Sequence, residues 1–131
     1  MSDRLPTVVQ IFGKLAPNGK EDLSVANINL AYDLPYNNIV AFCQRWKIVQ
    51  LELFGSILRN DFGPHSDVDF LVTFATDARW SLLDLVQAEE ELSNIVGRPV
   101  DLVERGPVEQ SHNWIRRRAI LDSARSIYAV G

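Results

Sequence analysis

Cysteine is nearly absent from this chain: Cys43 is the only one, so no internal disulfide can staple the fold. With Ala41, Phe42 and Trp46 around it, Cys43 reads as part of a helix face, where a free thiol packs as a small hydrophobe. Long apolar runs are also missing. The unbroken apolar stretches are only a few residues, far short of the roughly 20 that span a bilayer. The opening MSDRLPT lacks the basic-then-apolar pattern of a signal peptide. The cytoplasm is the expected location, with no membrane partner. A basic excess is missing too: 13 Lys and Arg stand against 17 Asp and Glu, a formal net charge of -4. Domains that grip nucleic acid through its phosphates usually carry the opposite balance. No direct nucleic-acid binding is expected, and a template-directed polymerase is disfavoured. Repeats and low-complexity tracts are absent.

What is present is ordinary globular material: 131 residues, 47% hydrophobic and 23% charged, the size and composition of one domain. The first part differs, with Pro6, Gly13, Pro17, Asn18 and Gly19 punctuating short apolar pieces. Residues 1–33 are read as an N-terminal arm or hairpin, and 34–131 as the core. Pro35 suits a helix start, and Ile39, Val40, Phe42, Cys43 and Trp46 recur at helical spacing up to about Lys47. Residues 48–54 have the content of a strand ended by Gly55, followed by a short helical turn over 56–60 and a turn at Gly63 and Pro64. A second strand holds Val68, Phe70, Leu71, Val72 and Phe74. Residues 80–96 read as an amphipathic helix with Leu82, Leu83, Leu85, Val86, Ala88 and Leu92 on its apolar positions, closed by Gly97. Residues 99–104 form a third strand, and a final helix is expected over 113–128, with Ile115, Ala119, Ile120 and Ala124 buried. Strands alternating with helices make an α/β plan.

Two stretches carry chemistry: LFGSILRNDFGPHSDVDFLVTF and PVDLVE. In an extended strand alternate side chains share a face, so Asp67 and Asp69 project together while Val68 and Phe70 turn to the core. Asp101, between Val100 and Leu102, should likewise face away from its apolar neighbours, and adjacent strands would bring the three acids together. Clustered carboxylates repel and raise at least one pKa unless a hard divalent cation with oxygen preference relieves them, which implies Mg²⁺. Gly55 and Ser56, at a strand-to-helix junction, offer close backbone approach, exposed N–H groups and a hydroxyl to an anionic phosphate. Metal on one side and a phosphate-binding turn on the other is equipment for transfer at a nucleotide phosphate.

Gly55-Ser56, then Asp67-x-Asp69, then a lone Asp101 in a later strand resembles the DNA polymerase β superfamily of nucleotidyltransferases. The small size, the Gly-Ser-x-x-Arg run ending at Arg59 and the near-terminal helix resemble, within it, the minimal nucleotidyltransferases that act as antitoxins and are paired in operons with HEPN ribonuclease toxins. The resemblance spans roughly residues 48–128. It implies a polymerase-β-like α/β fold, a small mixed sheet flanked by helices. It implies that Asp67 and Asp69 ligate two Mg²⁺ ions, that Asp101 ligates the catalytic ion and helps activate the acceptor hydroxyl, and that Gly55 and Ser56 hold the triphosphate of ATP. Arg59 would lie near the phosphates or face the partner. The sequence departs from the commonest pattern at Asn60, where a small residue is usual, and in the bulky Ile57-Leu58 pair.

Other polar residues read more plainly. His65 beside Pro64 is a turn residue, and Glu104 falls on the opposite strand face from Asp101. Arg116, Arg117 and Arg118 are either a solvated helix face or contacts to phosphate or an acidic partner, and Trp46, Trp80 and Trp114 read as core or interface. What the resemblance implies is transfer of AMP from ATP to a hydroxyl, a tyrosine's by expectation, on a HEPN toxin. Larger members of the superfamily hold the acceptor with extra domains that this chain lacks room for, so a folded partner would complete the site. The alternatives are a free-standing nucleotidyltransferase acting on a small molecule, and a non-catalytic antitoxin that masks its toxin through the last helix or the N-terminal arm.

Overall fold

The computed structural model describes residues 33–59 and 61–130, so all of the expected arm except Asp33 lies outside the described residues. Helix α1 (Tyr36–Arg45) follows Pro35 and buries Ile39, Phe42 and Cys43 at helical spacing. Lys47, at φ 55, reverses the chain into strand β1 (Ile48–Phe54). A 3₁₀ turn (Gly55–Leu58) comes next, then β2 (Val68–Phe74), helix α2 (Leu82–Val96) and β3 (Val100–Glu104). The chain ends with helices α3 (Arg105–Glu109) and α4 (Trp114–Ser123) and strand β4 (Arg125–Ala129).

The strands form one mixed sheet in the order β3-β2-β1-β4. β2 and β3 run parallel with α2 as their crossover, and β1 is antiparallel to both β2 and β4. Each face of the sheet carries its own core. Leu51, Leu53, Val68, Phe70 and Val72 pack under α1 and α2. Phe54 and Leu71 on the other face pack against Val108 of α3 and Ile120 of α4. The sheet therefore has apolar cover on both sides, and the odd-numbered positions of β2 and β3 look toward α3 and α4.

Helix α2 is bounded by its own sequence. Ser81 accepts from the Asp84 amide at 3.1 Å and Asp84 returns the bond to the Ser81 amide at 2.9 Å, a complete capping box. Gly97, at φ 75, closes the other end. The expected apolar positions of this helix need correction, because Leu82, Leu83 and Val86 are exposed. The buried seam is Ala88, Leu92 and Val96, and at 3.6 residues per turn Leu83 and Val86 fall on the far side of it.

The final helix expected over 113–128 is also corrected. α4 stops at Ser123, whose hydroxyl donates to the Ala119 and Ile120 carbonyls, while Arg125 donates to the carbonyls of Ser123 and Ala124. Carbonyls at the helix end, those of Ile120 and Ser123 among them, thus have side-chain partners, and the chain is released into β4. Of the four positions expected to be buried, Ile120 is buried and Ala124 packs beside it, whereas Ile115 and Ala119 are exposed.

Candidate active site

The register of β2 and β3 sets the geometry. Asp69 and Asp101 are direct partners across the parallel pair, flanked by the pairs Val68 with Val100 and Phe70 with Leu102. Val68 and Phe70 are completely buried under α1 and α2, so the alternation of the strand turns Asp69 to the other face. Asp67 shares that parity but lies one residue ahead of the strand. Asp67 and Asp101 are exposed and Asp69 is half-buried. Asp69 and Asp101 share the face expected of them, and Asp67, ahead of the strand, lies close enough to act on the Asp69 charge.

The third side of the site is the end of β1. Phe54 pairs with Asp69, and Gly55 follows at φ +82. A Cβ on Gly55 would lie 2.2 Å from Asp69 Oδ2. The glycine is thus required twice, once for its left-handed backbone and once because the Asp69 carboxylate occupies the space over its Cα. The sequence reading gave Gly55 to phosphate; the structure shows that it first admits an aspartate. Ser56 is half-buried beside it in the 3₁₀ turn, and Ile57 is fully buried in the core, which accounts for the bulk at that position.

Burial pushes the Asp69 carboxyl up from 3.8 to about 6, and the negative charges of Asp101 and Asp67 push the same way, while the Arg59 guanidinium opposes them. Arg59 is exposed and ion-paired with Asp61 at 3.2 Å, close enough to Asp69 to act on its charge. Hard oxygen donors on one face, one of them held against its ordinary ionisation, are a donor set that suits a hard divalent cation. Among the described residues no three acidic, His or Cys side chains converge as a finished cage. Asp67, Asp69 and Asp101 are the residues that would hold such an ion.

Residues set aside on sequence grounds lie away from this face. His65 is exposed in the turn, and Glu104 faces a cavity of about 230 Å³ with Val72, Leu85 and Leu102 on the α2 side of the sheet. Arg116 is exposed, Arg117 donates to the Ser111 carbonyl at 2.6 Å, and Arg118 lies 3.7 Å from Asp122. Trp46 and Trp80 meet edge to face at 4.9 Å between ring centres, whereas Trp114 is exposed. Sequence reading missed two residues. Glu52, buried in the middle of β1 on the site face, accepts from Arg105 at 2.6 Å, and Arg105 also donates to Glu109 at 2.7 Å, tying α3 to the sheet. A lone acid inside an apolar strand was its signal. Arg98 donates to the loop ahead of Asp67, and no periodicity announces it.

The family described as "Nucleotidyltransferase domain" matches residues 39–127. A Methanocaldococcus jannaschii protein provisionally named a protein adenylyltransferase is 32% identical over 69 residues, 53% of this chain and 68% of its own length. A second such protein from the same organism is 35% identical over 65 residues, 50% of this chain and 68% of its own. Among solved structures, one provisionally described as a minimal nucleotidyltransferase is 27% identical with a TM-score of 0.52, covering 67% of this chain and 84% of that one. A toxin-antitoxin structure with AMP-PNP shares the fold with a TM-score of 0.57 at 19% identity, over 74% of this chain and 75% of that one.

Proposed function

The chain belongs to the nucleotidyltransferase domain family, and from that premise we propose that it transfers AMP from ATP to a tyrosine hydroxyl of a cognate HEPN ribonuclease toxin, silencing it as an antitoxin. The observation that carries the reading is the pairing of Asp69 with Asp101, with Asp67 near enough to act on the Asp69 charge and Gly55 beneath the Asp69 carboxylate. The adenylyl group and the protein acceptor are supported by the Methanocaldococcus jannaschii relatives, named for that activity, and by the toxin-antitoxin structure with AMP-PNP that shares the fold. A cytoplasmic location goes with the same reading.

Asp67, Asp69 and Asp101 would hold Mg²⁺, two ions being expected, which when bound would supply neutralisation of phosphate charge and activation of the acceptor oxygen. Asp101 stands on the exposed edge strand, where an incoming hydroxyl reaches it and passes its proton to the Asp101 carboxylate as the oxygen bonds to the α-phosphorus and the bond to pyrophosphate breaks. Ser56 and Arg59 face the triphosphate. The chain contributes no covalent intermediate, so positioning and electrostatics carry the reaction.

Intact-mass spectrometry of a HEPN partner co-expressed with this chain tests the reading. One or more added AMP masses, lost with Asp67→Asn, are expected. No added mass with the two proteins still co-purifying would favour masking, for which Trp114 and Ile115, exposed together on α4, are the contact candidates. No association at all would favour a small-molecule acceptor.

A further inference from the structure

Asp67 differs from the other two acids in how it is held. Asp69 and Asp101 lie inside β2 and β3, so the ladder fixes them, but β2 begins only at Val68 and Asp67 sits outside it. Its two neighbours along the chain nevertheless have partners, and both partners belong to the short approach to β3. On one side the Ser66 carbonyl accepts from Arg98 Nη1 at 3.2 Å. On the other the Val68 amide donates to the Pro99 carbonyl at 2.9 Å. The same Arg98 nitrogen lies 2.9 Å from the Gly63 carbonyl and 3.3 Å from that of Pro64, and the guanidinium stacks over the Phe62 ring at 4.5 Å from its centre. The loop closes on itself as well: Ser66 N–H donates to the Gly63 carbonyl at 3.0 Å, and the Ser66 hydroxyl accepts from the Gly63 amide at 2.9 Å.

We infer that Arg98 is a positioning residue for Asp67: it clamps the 62–66 loop to the strand that carries Asp101, and so sets where one aspartate of the site stands relative to another. The inference rests on the reading of the three aspartates as the catalytic site. Its physical basis is the shape of the guanidinium, which stacks on a ring and donates in its plane at the same time. A lysine ammonium, a point charge on a flexible stem, satisfies a carbonyl but not that combination. Arg98 touches neither nucleotide nor acceptor in this scheme, so its effect reaches the chemistry only through the loop. Displacing a catalytic group by about an ångström costs on the order of 100-fold in rate.

The test compares wild type, Arg98→Met, Arg98→Lys and Asp69→Asn in the full chain. The rate of label transfer from ATP, the Mg²⁺ midpoint of that rate and amide exchange at Gly63, Ser66 and Val68 are followed. Arg98→Met is expected to lower kcat by about 10- to 100-fold, to raise the Mg²⁺ midpoint several-fold and to leave the KM for ATP within about twofold, since Gly55 and Ser56 are untouched. Exchange should quicken at the three amides without a matching change in α1. Arg98→Lys should recover part of kcat. The inference falls if Arg98→Met keeps its kcat and Mg²⁺ midpoint while Asp69→Asn is dead, or if neither Arg98 variant folds, which would make the residue structural. An active Asp69→Asn protein would overturn the site reading itself, and this inference with it.

Discussion

Gly55 and Asp69 are one device made of two residues, and each predicts a measurement. A methyl group on Gly55 meets the Asp69 carboxylate at 2.2 Å on a backbone at φ +82. Gly55→Ala therefore has to shift the strand end or the aspartate. It should lower stability by roughly 1–3 kcal/mol, the usual cost of strain at a left-handed position, and reduce transfer by at least tenfold. Thermal melting and a transfer assay read the two effects separately. Asp69 makes a second prediction, through pH. Its carboxyl titrates near 6 in the fold against an ordinary 3.8, so between those values the folded state binds more protons than the unfolded one. Stability is then favoured below about pH 4 and lost as pH rises through 6. Without metal, the melting temperature of Asp69→Asn minus that of wild type should be near zero at pH 4 and become positive by pH 7. A flat difference across that range would remove the argument.

Elements whose sequence and surroundings agree were legible, and those made by distant partners were not. β1 and β2 announce themselves by apolar and β-branched content, and α2 by its cap and closing glycine; Ser81→Ala should cost about 1 kcal/mol of stability and leave kcat unchanged. β4 was hidden because Ile120, Ala124, Ile127 and Tyr128 keep a helical spacing through the end of α4. What overrides that spacing is the free edge of β1, which takes Arg125 to Ala129 as its antiparallel neighbour and buries Ile127 and Tyr128. No local signal reports an edge made so far back along the chain. Ile127→Ala should cost about 2–5 kcal/mol, whereas Ile115→Ala, on the exposed side of α4, should stay within about 0.5 kcal/mol. Chemical denaturation of the two variants reads both costs. Part of the site was legible too, because strand alternation turns Asp69 and its partner Asp101 away from their buried neighbours. Its supports, Glu52 and Arg98, act across loops and strands and leave little trace in spacing.

At the scale of the molecule, the sheet separates stability from chemistry. α1 and α2 bury the larger core on one face, while the other face spends its end positions on three acids that repel one another. A face built that way is less stable bare than it would be with neutral residues, a common trade where a site needs charge in a partly buried place. Near neutral pH and in EDTA, Asp69→Asn should therefore melt above wild type by roughly 2–5 °C, about what 1 kcal/mol gives in a domain of this size. Mg²⁺ with a non-hydrolysable ATP analogue should reverse the order. A ligand at about 100 times its Kd adds roughly 2.7 kcal/mol to the protein that binds it and nothing to one that does not. Wild type should then gain several degrees while Asp69→Asn stays where it was. A variant that gains as much as wild type would mean that the metal and nucleotide bind without this aspartate, and the paired acids of β2 and β3 would lose their claim to the chemistry.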